Sequence, residues 1–318
     1  MTLMLMGTQK AFTMGETDEQ IIRALARYHY MTAAQASRLI YPNLADENRK
    51  MQRCLLALEN ADYVLRLRAL PQPRYGQAPH VFTLAQRGRT YAAGLGMSVK
   101  AYFRPSHERQ VARPENNSFM AHRLATIDVM IAADCLCRDY PVYCPQMLSE
   151  SELKQGALKI AVPPGPMAPD GSLPRTAAVI PDAWFQLTVG GHLPVSIALE
   201  LDRGTEDQRA WRDKVAALAL WALGPYRQAF QADNVTIAIV CPDVHRRDTL
   251  AVWTKKELES RDLGKVLDVF LFTDASPVAT TSKEFFFGRV WFLPHQQEPV
   301  TLLDPLSTEE GRIAQRVV

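Results

Sequence analysis

Residues 181–202 read PDAWFQLTVGGHLPVSIALELD. Two apolar runs, within residues 177–187 and 192–201, flank Gly190 and Gly191, and a glycine pair suits the tight turn of a hairpin. Asp182 stands at the start of the first strand. Glu200 and Asp202 close the second, two residues apart, so their side chains share a face. Pairing of these strands brings Asp182 and Glu200 to one sheet edge. Two convergent carboxylates are the donor set that Mg²⁺ takes, with water and phosphate oxygens completing its shell. Such a metal would activate water and stabilise charge on a phosphodiester. Asp182, Glu200 and Asp202 are therefore the candidate metal ligands, and Lys214 reaches toward them from the next helix. The plainer alternative is a set of solvated acids beside turns, with Asp202-Arg203-Gly204 no more than a helix start.

Working outward, one long helix is expected over residues 207–230. Val235–Val240 is a continuous apolar run, as in a strand buried on both faces. A helix near 247–261 and strands at 267–272 and 285–292 follow. Upstream, residues 117–140 carry Phe119, Leu124, Ile127, Met130 and Ile131 at helical spacing, with His122 on the same helix. VPPGPMAPDGSLP at 162–174 reads as a loop within the domain. Helix, strands, helix, strand, helix, strand is the order of an α/β domain around a mixed sheet.

The first hundred residues have another rhythm. Ile21, Ile22, Leu25 and Ala26 mark one face of a helix over 17–28, with Thr17 or Asp18 as its cap. Thr32 caps a second, with Ala33, Ala36, Leu39 and Ile40 inward. A third runs from Asp46 to about Asn60, with Met51, Leu55, Leu56 and Leu58 inward. The period then becomes alternating at Val64–Arg68, a turn PQPRYGQAP follows, and His80–Leu84 forms a second strand before a helix over 85–94. Three helices followed by a hairpin is the order of a winged helix-turn-helix. Asn48, Arg49, Lys50, Gln52 and Arg53 crowd the start of the third helix, where a recognition helix meets base edges and phosphates. Arg66, Arg68 and Arg74 on the hairpin would meet the flanking backbone. A winged helix that docks protein is the competing reading.

Composition agrees with a globular chain: 47% hydrophobic and 22% charged residues. No apolar run approaches the length of a membrane span, and residues 1–15 lack the basic start of a signal peptide. The formal net charge of +2 conceals an asymmetry. Residues 1–115 hold 16 Lys+Arg against 9 Asp+Glu, and the remainder 20 against 25. A basic first part suits a polyanionic partner. The five cysteines (Cys54, Cys135, Cys137, Cys144, Cys241) are odd in number and scattered. They do not read as a disulfide framework or a complete zinc site, and a reducing cytoplasm fits them.

Several motifs together resemble the replication-relaxation family of plasmids and integrative elements. They are PDAWFQL, IALELDRGTE and RDKVAALALWAL in the second half, and MAHRLATIDV on its first helix. TAAQASRLIYP, MQRCLLALENADYVLRL and HVFTLAQRGRTYAA lie in the first half. The resemblance covers roughly residues 15–240. It implies a winged helix joined to a PD-(D/E)XK nuclease-like domain. By this resemblance Asp182 is the aspartate of the PD element and Glu200 the acid of the (D/E)xK element. Asp202 stands at the lysine position, so Lys214 would act as a migrated lysine and cleavage is in question.

The expected organisation is a flexible start at 1–15, a winged helix at 16–104, a linker at 105–116, a nuclease-like domain at 117–294 and a tail at 295–318. The expected function is a cytoplasmic accessory factor of a mobile element, binding double-stranded DNA without a cofactor. Its nuclease-like domain would be inactive and serve assembly. Winged-helix proteins commonly bind as dimers, so a homodimer is expected, alongside replication or transfer proteins of the element and no membrane. An active Mg²⁺-dependent endonuclease using Asp182, Glu200 and Lys214 is the alternative, and a protein-interaction adaptor the third.

Overall fold

The computed structural model describes residues 12–41, 47–67, 70, 78–99, 117–165, 171, 173–190 and 192–304. The expected linker, the tail beyond residue 304, Asp46, Arg68 and Arg74 lie outside them. The chain divides into two compact units, Met1–Ile127 and Asp128–Val318, with the division falling inside one helix.

The first unit begins with α1 (Glu16–Tyr28), which buries Ile21, Ile22 and Leu25. Its N-cap is Gly15, whose N–H donates to Asp18 Oδ2 at 3.0 Å, rather than Thr17 or Asp18. Strand β1 (Met31–Thr32) leads into α2 (Ala33–Ile40). Thr32 caps α2 as its sequence suggests: Gln35 N–H donates to Thr32 Oγ1 at 3.2 Å, and Thr32 N–H donates to Gln35 Oε1 at 2.9 Å. The Gln35 amide also donates to the Leu124 carbonyl at 2.7 Å, tying α2 to a helix far along the chain. Helix α3 (Asn48–Asn60) buries Met51, Leu55 and Leu58. Leu56, expected inward, is 47% exposed, because positions 51, 55 and 58 already define the buried stripe and 56 lies about 100° away from 55.

Strands β2 (Val64–Leu67) and β3 (Val81–Leu84) pair antiparallel, and β1 adds to β3, so the sheet order is β1-β3-β2. Helix α4 (Gln86–Gly94) closes the unit's hairpin region. Gly88 packs so closely on the Tyr63 backbone that a β-carbon there would stand 2.0 Å from the Tyr63 carbonyl oxygen.

The helix that spans the division is α5 (Asn117–Asp139). Phe119, the first of the apolar residues at helical spacing, is 39% exposed. In the second unit a five-stranded mixed sheet has the order β10-β9-β8-β7-β4. Its strands are β4 (Val142–Ser149), β7 (Ala183–Val189), β8 (Val195–Leu201), β9 (Thr236–Val240) and β10 (Phe270–Thr273). β4, β7 and β8 run antiparallel, and β8, β9 and β10 parallel. The mixed α/β organisation expected from the sequence is therefore observed.

Four readings of this half are corrected. The run at 177–187 is two strands in two sheets. β6 (Arg175–Val179) pairs with β5 (Leu158–Val162), and β7 begins only after Pro181, which has no N–H for a ladder. The helix expected at 207–230 is two, α7 (Gln208–Ala222) and α8 (Pro225–Phe230), broken at Gly224-Pro225. The run at 267–272 is a 3₁₀ helix, Gly264–Val269, before β10. Residues 285–292 form no regular strand: α10 (Ser282–Phe287) holds Phe285 and Phe286, and only isolated bridges follow. The short helix α6 (Glu150–Leu153) leads from β4 toward β5, and α9 (Val244–Ser260) lies between β9 and the 3₁₀ helix.

One face of the large sheet, including Trp184, Ala198, Ile237, Ile239, Phe270 and Phe272, packs in a single apolar cluster with α7, α9 and the β5–β6 hairpin. Trp184 stacks on Phe230 at 4.0 Å between centroids. Buried Glu257 on α9 binds Arg212 of α7, which ties the two helices, and also Arg261 at the end of its own helix. Among the described residues no helix is long and apolar enough to cross a membrane.

Candidate functional site

Two places carry chemistry, one in each unit. In the second, β7 and β8 pair with Ala183 opposite Leu199. Asp182 continues this ladder: its N–H donates to the Leu199 carbonyl at 2.9 Å, and its Oδ2 accepts the Leu201 N–H at 2.7 Å. Asp182 and Glu200 thus meet at the C-terminal end of β8. The period-two alternation of β8 places Glu200 on the face of Ala198, toward α7, where it is 2% exposed. Asp207 caps α7 by accepting the Ala210 N–H at 2.8 Å, which sets Lys214 in the second turn. From there Lys214 Nζ reaches Glu200 Oε2 at 2.8 Å and Glu206 Oε1 at 3.1 Å.

The electrostatics follow from burial. Loss of solvent raises the proton affinity of Glu200, Lys214 opposes this, and Asp182 and Glu206 add to it, leaving its pKa pushed up to about 7. Burial works against the charge on Lys214, but Glu200, Glu206 and Asp182 outweigh it and hold the ammonium protonated well above the ordinary lysine range. Two carboxylates, Glu200 and Glu206, contact the Lys214 ammonium, and Asp182 acts on both Glu200 and Lys214 through its charge.

Asp202 has a different partner. It is bound through both oxygens by Arg246 of α9, at 2.7 and 2.9 Å, and Oδ2 also accepts the Gly204 N–H. The structure therefore brings Asp182, Glu200 and Lys214 together and commits Asp202 to a buried ion pair. Among the described residues no group of three or more His, Cys, Asp or Glu side chains gathers as a metal-holding set. The sequence reading missed Glu206 and Arg246. The one available signal was the Asp207 cap, which places Glu206 just ahead of the helix that carries Lys214.

In the first unit, α3 presents Asn48, Arg49, Lys50, Gln52 and Arg53 to solvent, with Met51, Leu55 and Leu58 buried behind them. Lys50 pairs with Glu47 at 3.4 Å and lies 4.5 Å from the Tyr41 ring centroid. Arg66 binds Glu59 at 3.0 Å, so part of its charge is already answered. Among the described residues no ion pair holds Arg49 or Arg53.

The family model described as replication-relaxation matches residues 22–228 of this chain. No curated protein and no solved structure matches it. The matched span runs from α1 into α8 and so includes α3, Asp182, Glu200, Glu206 and Lys214.

Proposed function

Because this chain belongs to the replication-relaxation family, we propose that it is a DNA-binding factor in the replication or relaxation of a mobile element. The observation that carries this is the α3 face, where Arg49 and Arg53 stand exposed and without ion pairs among the described residues. Helices α1 to α3 followed by the β2–β3 hairpin give the element order of a winged helix-turn-helix, in which the third helix enters the major groove. The nuclease-like second half then serves assembly or a further DNA contact.

The test is fluorescence anisotropy with duplex DNA. Loss of one well-placed arginine contact costs ~1–3 kcal/mol. Arg49→Ala with Arg53→Ala is therefore expected to weaken binding by at least about tenfold. Unchanged affinity in a folded double variant would remove α3 as the reader.

One observation favours a second reading, metal-dependent phosphodiester cleavage: Lys214 lies against Glu200 with Asp182 beside it. The residues fit Mg²⁺ in charge and donor type. Asp182 and Glu200 are hard oxygen donors of the kind Mg²⁺ takes, and they meet at the C-terminal end of β8. Asp182 and Glu200 would hold the ion, which when bound supplies an activated water and charge stabilisation. Lys214 would offset the charge that develops on the phosphate, and the cover of α7 over Glu200 keeps bulk water away. Supercoiled plasmid with Mg²⁺, Mn²⁺ or EDTA decides between the readings. Nicking that needs metal and disappears in Asp182→Asn and Lys214→Met makes the site catalytic. Shifted but uncut DNA, the same in all three proteins, leaves a binding factor on a disarmed nuclease-like fold.

A further inference from the structure

By the resemblance, Asp202 stands where a lysine is expected, and its surroundings are those of an anchor. Its side chain is 1% exposed and lies in a two-pronged pair with the Arg246 guanidinium, itself 14% exposed. The same guanidinium donates from Nη2 to the Glu206 carbonyl oxygen at 2.7 Å. The Asp202 N–H donates to the Val240 carbonyl at 2.9 Å, and the Gly204 N–H returns to Asp202 Oδ2 at 2.9 Å. Gly204 itself takes a left-handed backbone, at φ +74°, as the chain turns toward α7. At the far end, Asp207 caps α7. The short connection between β8 and α7 is therefore fastened at both ends, and Glu206 is presented from it.

Glu206 places Oε1 3.1 Å from Lys214 Nζ. Its Oε2 is buried and has no hydrogen-bond partner among the described residues. A carboxylate with a covered, unanswered oxygen depends on its one cation. Among the described residues no hydrogen bond or ion pair joins Arg246 to Lys214. Arg246 reaches Lys214 only through the segment it fastens.

We infer that Arg246, Asp202 and Glu206 form a clamp that positions Lys214, with Glu206 taking the place of Asp202 as the third acid around its ammonium. The inference rests on the reading of Lys214 as the cation of this site. It explains the departure from the motif: Asp202 gives up the lysine's place in the chemistry and becomes the anchor of the loop. Arg246 and Asp202 are positioning residues that act through Glu206, and the planar fork of arginine is required because one side chain must serve two carboxylate oxygens and a carbonyl.

The experiment is limited acetylation of the full-length protein with acetic anhydride, read lysine by lysine by mass spectrometry. In the wild type, Lys214 should label more slowly than exposed Lys256 and Lys265. Arg246→Met and Glu206→Gln should each raise labelling of Lys214 by about tenfold, the worth of one charge-assisted hydrogen bond. Lys256 and Lys265 should not change, and Arg246→Lys should fall between. Lys214 as protected in both variants as in wild type overturns the clamp, and so does a parallel rise at all three lysines, which would mean general loosening. Should Arg246→Met fail to fold by circular dichroism, Glu206→Gln, whose side chain reaches solvent, decides alone. None of these outcomes depends on cleavage. Nicking by Lys214→Met answers that separately, so a failed clamp and a failed cleavage reading are distinguishable.

Discussion

Glu200 concentrates the conflict at the residue scale. Its carboxyl lies under α7, with an ammonium on one side and two further acids near it. The folded-state pKa of about 7 lies above the ordinary value of 4.5. The folded protein thus holds the proton more tightly than the unfolded chain does. The stabilisation from this group is complete below pH 4.5 and is lost as pH rises through about 7. Carbon-13 NMR of the glutamate carboxyls should find Glu200 titrating near neutrality. Lys214→Met should move its midpoint up, since the opposing cation is gone, and Asp182→Asn should move it down, since a repelling charge is gone. Shifts in the same direction in both variants would mean that packing changes, rather than these charges, set the value. The meeting of Asp182, Glu200 and Lys214 was legible in the sequence because a hairpin and a helix cap fix it locally. Arg246 was not, because its partner Asp202 lies 44 positions earlier and no periodicity links them.

Elements were legible where one period ran without interruption, as in α1, α2 and β9. They were misread where a local breaker or a distant partner decided the outcome. Gly224-Pro225 splits a helix whose apolar pattern continues across it. Phe285 and Phe286 read as strand by composition, yet Thr281 caps them into a helix by accepting the Glu284 N–H. Strands β4 and β5 escaped notice altogether: β4 carries little alternation, and β5 alternates over only five residues. Gly88 is an element-scale constraint of this kind. It sits inside α4, where glycine is ordinarily a cost, and its reason is the backbone of Tyr63 across the contact. Gly88→Ala would normally gain a few tenths of a kcal/mol or more in a helix. Here the added carbon meets a carbonyl oxygen, and a loss of about 2–3 kcal/mol is expected, near the upper part of the range for overpacking. Urea unfolding of the full chain, followed by tyrosine fluorescence, measures it. A gain in stability would show that α4 can slide away from Tyr63, and that the close approach is not needed.

At the scale of the whole molecule the charge is divided. The part up to residue 115 has 16 basic residues against 9 acidic, and the rest 20 against 25. A polyanion would be attracted to the first part and weakly repelled by the second, so the proposed DNA contact through α3 would carry an electrostatic signature that a protein-docking surface lacks. Each phosphate neutralised steepens the fall of log affinity with log salt by about 0.9. If Arg49 and Arg53 both meet phosphates, their joint removal should flatten the slope by about 1.8 units and weaken binding to every sequence alike. If they read base edges, the slope should hold while affinity drops on the preferred site only. A slope near zero in the wild type would put the protein among adaptors, with α3 facing a protein. Anisotropy titrations between low and physiological salt, on one specific and one scrambled duplex, separate the three. The mixed character of α3 makes the first two readable on the same helix. Its first turns expose Asn48, Arg49, Lys50, Gln52 and Arg53, whereas Leu56 is exposed one turn beyond Arg53. An apolar side chain there has nothing to gain from a phosphate and can only contact a thymine methyl or another apolar surface. Leu56→Ala should therefore leave the salt slope unchanged whichever way the arginines fall, and a change in that slope would mean that α3 lies on DNA in a different register.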